Sequence, residues 1–212
     1  VQEVMRMILE AYYEPRFRDS SHGFRPNRGC HTALRTIRTQ WTGTTWFIEG
    51  DIKGCFDNID HEILLTILKR DIQDERFIKL LKGMLTAGYL DDWTYTETYS
   101  GTPQGGIISP ILANILLNEF DRWVEEKLIP SYTKGKKRSH NPEYHRLKYK
   151  RKKAYEQGDR LAYKQCKAQE YKIPSINTHD PNHRRLRYVR YADDFILGFN
   201  GPHEEAVQVK KA

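Results

Sequence analysis

The sequence predicts an α+β fold, an antiparallel sheet backed by helices. Three observations predict it. Several stretches place apolar residues at i, i+3, i+4 spacing, as amphipathic helices do. Two runs, TTWFIEGDI and LRYVRYADDFILGFNG, are rich in β-branched and aromatic residues and read as strands. The second run folds back on itself around a turn at Ala192–Asp194, which makes the pairing antiparallel. At 212 residues the chain can bury a core, yet its apolar fraction of 38% is low and its charged fraction of 30% high, so a folded body with a polar appendage is expected.

Residues 1–13 read as a helix with Val1, Val4, Met5, Ile8 and Leu9 on one stripe, ended by Pro15. The loop RFRDSSHGFRPNRGCHTAL follows, rich in turn formers and arginine, and then a helix over His31–Gln40. Residues 44–52 form the first strand. Asp60 is placed to cap the helix HEILLTILKRD. DERFIKLLKGMLTAG gives another helix with Gly88 past its end, and DDWTYTETYS alternates as a strand or hairpin. After GTPQGG, Ser109 as N-cap and Pro110 at the first helical position open a helix whose apolar positions are Ile111, Leu112, Ile115, Leu116, Phe120, Trp123 and Val124. Residues 131–187 read as two polar helices in a hairpin broken at Gly158, too polar for a core of their own. The two strands around YADD and the opening turns of a last helix complete the chain. The boundaries fall at 1–43, 44–130, 131–187 and 188–212, and there is no internal repeat. Val1 is no initiator and both termini begin or end in helical register, so a piece of a longer protein is expected.

Charge narrows the partners. The total is +7, but residues 131–187 hold 17 Lys and Arg against 5 Asp and Glu, a local +12 that leaves −5 for the rest. A charge run can be a solvated face. This one is concentrated enough to favour a polyanion, with Lys136, Lys137, Arg138, Lys148, Lys150, Arg151, Lys152 and Lys153 as the contacts. No apolar run approaches the roughly 18 residues of a membrane helix, and no signal peptide opens the chain. Cys30, Cys55 and Cys166 are too far apart for a metal site or a disulfide framework, which suggests a reducing compartment.

The chemistry lies in three acids. Asp51 ends a hydrophobic strand, and Asp193 and Asp194 sit side by side at a hairpin turn. Adjacent anions repel, unless cations offset them. Acids at a hairpin tip can simply be solvated. If the two strands are neighbours, however, three carboxylates converge into a hard oxygen site suited to Mg²⁺, and two ions about 3.5–4 Å apart would serve phosphoryl transfer.

Four ordered segments carry a resemblance: HGFRPNRGCHTAL, DIKGCFDNIDHEIL, SGTPQGGIISPILANILLNEFD and YADD between strands. Together they resemble the group II intron-encoded reverse transcriptases, or maturases, over almost the whole chain. The resemblance implies partial fingers over 1–43, a polymerase palm over 44–130 and 188–212, and a basic insertion between them. The fingertip hairpin, thumb and maturase domain would lie outside this chain. It implies that Asp51, Asp193 and Asp194 are catalytic and, with the Ile52 carbonyl, hold two Mg²⁺ ions, Asp194 less directly. Gly54 and Cys55 would meet a triphosphate through their amides, and Phe56 would exclude a ribose 2′-OH. Gln104 and Gly105 would hold the incoming nucleotide, and Arg25 and Arg28 would touch template or phosphates. The implied partners are intron RNA, an RNA template with a DNA primer, and deoxynucleoside triphosphates, with a homodimer as a candidate and no membrane. The implied activity is RNA-directed DNA synthesis in a bacterial cytoplasm or an organelle. An RNA-binding splicing module without polymerisation is the alternative, and a scaffold or dimerisation piece is a third reading. Asp60 is assigned to capping, Asp57 has no assignment, and His61 and His183 read as solvated surface.

Overall fold

The computed structural model describes residues 1–87, 89–91, 94–96, 101, 106–178 and 180–212. Helix α1 (Gln2–Tyr13) ends in a tight turn at Glu14–Arg16 that contains Pro15. A loop leads to α2 (Cys30–Gln40), β1 (Trp46–Asp51), α3 (His61–Asp71) and α4 (Glu75–Thr86). The short hairpin β2 (Tyr89–Asp91) and β3 (Thr94–Thr96) precedes α5 (Ser109–Trp123). A widened helical turn at Val124–Leu128 carries α5 into α6 (Ile129–Ser131), so the helix accommodates Pro130, which has no N–H to donate. The basic hairpin α7 (Pro142–Glu156) and α8 (Arg160–Glu170) comes next, then β4 (Arg185–Tyr191), β5 (Asp194–Asn200) and α9 (His203–Lys211).

The main sheet is antiparallel with order β1-β5-β4. One face, built from Trp46, Ile48, Leu186, Tyr188, Leu197 and Phe199, packs on the end of α5 and on Ala206 and Val209 of α9. A second apolar cluster joins α1, α3, α4 and α5 through Leu9, Leu64, Leu68, Leu81 and Leu112. On the opposite sheet face, α2 and Trp41 cover Val189 and Ile196. The α+β reading with an antiparallel sheet therefore stands.

Local rules account for the starts of α3, α4, α7 and α8. Asp60 accepts the amides of Glu62 and Ile63 at 2.8 and 3.0 Å, and Asp74 accepts those of Arg76 and Phe77. Asn141 and Asp159 cap α7 and α8 in the same way. The basic hairpin is closed by Arg151–Glu170 at 3.0 Å, and Leu147 and Ala154 are its buried apolar side chains. At its root, Lys134 and Arg184 exchange backbone hydrogen bonds of 3.0 and 2.9 Å.

Several expectations are corrected. The buried stripe of α1 is Met5, Leu9 and Tyr13, while Val1, Val4 and Ile8 are exposed. Those three lie towards the flank of the stripe, since one residue is about 100° of helix. Ser109 is not the N-cap: the turn bonding Ser109 N–H to Gly106 O already winds the chain, so Ile108 caps and Pro110 is the second helical residue. Trp123 is exposed, stacked on Phe120. Gly88 lies outside the described residues.

Gly50 sits where β1 meets the Phe195 ring. A Cβ there would lie 2.1 Å from that ring. Gly50→Ala therefore lowers the denaturant midpoint at unchanged slope, by about 1–3 kcal/mol of overpacking.

Candidate active site

The register of β1 on β5 sets the site. Asp51 is directly opposite Asp194, and Asp194 is opposite Tyr191 of β4. Directly opposed residues put their Cβ atoms about 4.5–5.5 Å apart on one face. That face is the one with Phe47, Glu49 and Asp51, whose side chains are exposed along β1. Asp193 occupies the two-residue turn, and its carbonyl accepts the Ile52 amide at 3.3 Å just past the end of β1. The Cys55 thiol is buried, and its pKa is pushed up by burial and by the charges of Asp193 and Asp51, with Arg190 opposing. The thiol thus feels both carboxylates, one from each strand.

The turn is strained. Ala192 has φ of 56°, at the position where a two-residue hairpin favours glycine. It is held from two sides. Gly23 lies against it so closely that a Cβ on Gly23 would sit 2.1 Å from the Ala192 nitrogen. From beneath, Arg190 Nη1 donates to the Ala192 carbonyl at 2.6 Å.

Arg190 is fully buried and all its donors are used. Nε and Nη2 bind the two oxygens of Asp121 at 2.8 and 2.7 Å, Nη2 also reaches Ser21 Oγ, and Nη1 reaches Asn114 Oδ1. Tyr188 Oη donates to Asp121 at 2.6 Å, and burial followed by the Asp121 charge pushes its pKa far up, so it stays a donor. Asn114 Nδ2 donates to the Gly23 carbonyl, while backbone bonds link Arg190 to Ser20 and His22. One network therefore ties α5, the β4–β5 hairpin and the 20–23 loop to the acidic turn.

The remaining predicted residues divide. Gly54 has φ of +60°, and the Cys55 amide, expected to meet a triphosphate, is spent on the Ile52 carbonyl at 3.1 Å. That carbonyl keeps a second lone pair. Phe56 is half-buried, edge-on to Phe24 with ring centroids 6.1 Å apart. Gln104 and Gly105 lie outside the described residues. Gly101 just before them is fastened to the Phe56 loop by its own N–H to Ile59 O at 2.8 Å.

Arg25, expected at template or phosphates, is turned into the protein. Its side chain is buried, paired with Glu14 and bonded to the carbonyls of Arg18 and Ser21, so it braces the loop. Arg28 pairs with exposed Asp19 at 2.6 Å. His61 is not surface either: it is buried and donates from Nε2 to Gly101 O at 2.6 Å. His183 is half-buried, takes a hydrogen bond from Asn200, and has its pKa lowered by burial and by Arg185 and Arg138. Within the basic segment Arg151 is taken by Glu170, and Lys152 lies 3.8 Å from Glu156. Lys136, Lys137, Lys148, Lys150 and Lys153 are exposed. Sequence reasoning missed Arg190, Asp121, Asn114 and Gly23. Their signal was a charged residue inside an apolar strand and two polar residues seven apart on a buried helix stripe.

Among the described residues no group of three or more His, Cys, Asp or Glu side chains forms a ready metal cluster. The donor chemistry still fits Mg²⁺. The three acids offer oxygen, and none is ion-paired with Lys or Arg among the described residues. Mg²⁺ takes one or two protein carboxylates and completes its shell with water and substrate phosphate, so it needs no closed protein cage.

The family model for reverse transcriptase (RNA-dependent DNA polymerase) matches residues 1–212. The chain is 43% identical over its whole length to the group II intron-encoded protein LtrA of Lactococcus lactis subsp. cremoris, of which it covers 36%. It is 43% identical over 99% of its length to an uncharacterized 91 kDa protein in the cob intron of Schizosaccharomyces pombe, covering 26% of that protein. Nuclear intron maturase 1, mitochondrial, of Arabidopsis thaliana is 27% identical, with 35% covered. The chain thus spans about a third or less of these relatives.

Asp121→Ala leaves the Arg190 charge buried without a partner. Stability falls by about 3–5 kcal/mol in denaturant unfolding, several times the cost of removing an exposed ion pair such as Lys82–Glu62.

Proposed function

Because the chain belongs to the reverse transcriptase (RNA-dependent DNA polymerase) family, we propose that it is the RNA-directed DNA polymerase core of a group II intron-encoded protein. Its reaction joins a primer 3′-oxygen to the α-phosphorus of a deoxynucleoside triphosphate, with pyrophosphate leaving. The observation that supports this best is the register opposing Asp51 and Asp194, with Asp193 in the turn beside them. Asp51 and Asp193, with the free lone pair of the Ile52 carbonyl, would hold two Mg²⁺ ions, and Asp194 would lie further back. When bound, the metal lowers the pKa of the attacking hydroxyl and neutralises the triphosphate.

The chain's own residues do the rest. The Arg190 network fixes the turn that carries Asp193. Phe56, braced by Phe24, presents a ring edge where the sugar of the incoming nucleotide would sit, and it rejects a 2′-OH by bulk. Gln104 and Gly105 would hold that nucleotide from the segment anchored at Gly101. Arg28 would exchange exposed Asp19 for a template phosphate.

A second role, RNA binding in splicing, is favoured by the basic hairpin. Lys148, Lys150 and Lys153 are exposed beside Tyr149 and Tyr155, which are 70% and 75% exposed, a pairing suited to phosphate contact and base stacking. The residue ranges 1–43, 44–130, 131–187 and 188–212 would be partial fingers, first part of palm, insertion and second part of palm. The partners would be intron RNA, template–primer and deoxynucleotides. A homodimer contact would be sought by sedimentation at the exposed apolar residues of α1. The compartment would be a bacterial cytoplasm or an organelle. Among the described residues no helix is long and apolar enough to cross a membrane.

Two variants test the proposal. Asp193→Ala reduces primer extension by more than about 100-fold while RNA affinity stays at the wild-type value; extension at the wild-type rate would remove the catalytic assignment. Phe56→Val raises incorporation of ribonucleotides relative to deoxynucleotides by about 10-fold or more in single-nucleotide extension.

A further inference from the structure

Where the basic hairpin joins the sheet, three guanidinium groups crowd together without a carboxylate. Arg138 donates from Nη2 to Gly43 O at 3.1 Å. Arg187 donates from Nη1 to Thr42 O and Thr44 Oγ1, both at 3.2 Å. Arg185 donates to the carbonyls of Arg184 and Lys136 at 3.1 and 3.0 Å. All these acceptors are neutral. The nearby acids are engaged elsewhere: Glu205 pairs with Arg184, and Asp180 takes the amides of Ser139 and Asn182.

The arrangement is costly as it stands. Arg138 and Arg187 hold the same three-residue loop, 42–44, and Arg185 and Arg187 share one face of β4. Burial first, then Arg185 and Arg138, lower the Arg187 pKa, and the same two arginines weigh on His183. Through Arg138 the cluster adjoins a cavity of about 700 Å³ whose lining includes Thr44, Arg138, His183, Arg184 and Asn200 with one acid, Asp180, whose carboxylate already accepts the amides of Ser139 and Asn182. Arg138 Nη1 and Arg187 Nη2 make no hydrogen bond among the described residues. An anion of phosphate size would fit and would offset the repulsion.

We propose that Arg138, Arg185 and Arg187 form a binding site for a backbone phosphate of RNA. The site lies towards the far end of β5 from Asp194, with Arg187 about 14 Å and Arg185 about 20 Å along the strand, which sets it apart from the acidic turn. It stands at the root of the +12 segment, where both of its ends meet the sheet, so an RNA held by the hairpin would cross it. The inference rests on the RNA-binding role proposed above.

The test is the affinity of the full chain for a single-stranded RNA oligonucleotide at several KCl concentrations, with Arg138→Gln/Arg187→Gln, Arg187→Lys and wild type compared. Thermal melts are recorded without ligand and with inorganic phosphate. The double variant is expected to lose about 10-fold in affinity and to show a salt slope shallower by about 0.7 per lost contact. Its unliganded melting temperature should equal or exceed that of wild type, because repulsion is relieved. Arg187→Lys should keep the slope. Unchanged affinity and slope in the double variant overturn the site while leaving RNA binding by the hairpin intact. A lower melting temperature with unchanged slope makes the arginines braces for the 42–44 loop and also overturns it. Phosphate protection of wild type alone, with unchanged RNA affinity, overturns the assignment to RNA in favour of a free anion. No RNA affinity in wild type overturns both this site and the RNA-binding role.

Discussion

The candidate site depends on one buried guanidinium. Arg190 has no exposed surface, and its five N–H groups go to Asp121, Ser21, Asn114 and the Ala192 carbonyl. Burying a charge in this way costs several kcal/mol unless every donor is met and a counter-charge is close. Both conditions hold, and what results is geometric. Three parts of the chain far apart in sequence, the 20–23 loop, α5 and the β4–β5 hairpin, are locked to one planar group. That group also holds the strained residue Ala192, so the position of Asp193 is set from below rather than by the turn alone.

Above this anchor the two faces of the sheet divide the work. The face with Tyr188, Leu197 and Phe199 is apolar and sealed by α5 and α9. The other face is covered in the middle by α2 and Trp41 and left open at the row of Asp51, Asp194 and Tyr191. Acids therefore lie at one end of the sheet, and at the other lie the arginines at the root of the basic hairpin. A polyanion reaching the first end meets repulsion unless metal ions are present, whereas the second end attracts it directly.

What could be read in the sequence follows from how local each feature is. Asp60 as a cap, the hairpin around YADD and the helical hairpin broken at Gly158 all follow from short-range rules of capping and turns, whereas the approach of Asp51 to Asp194 was conditional on two distant strands being neighbours. What was not legible depends on contacts across the chain. Nothing near Arg25 announces that Glu14 will bury it, and nothing near His61 announces the Gly101 carbonyl. The stripe of α1 was placed partly wrong because apolar residues flank both sides of the buried line, and packing against α5 decides between them. Arg190 looked like one more basic residue in RYVRY. Its meaning appears only once Asp121, 69 positions earlier, is seen beside it.

The measurement that tests the account most directly is a crystal structure of the chain soaked in Mn²⁺, read by anomalous scattering. The account predicts a peak bound by Asp51 and Asp193, within about one two-metal span of both, with Ala192 still held by Arg190. A structure in which Asp51 lies away from the YADD turn, with no peak between the strands, would contradict it.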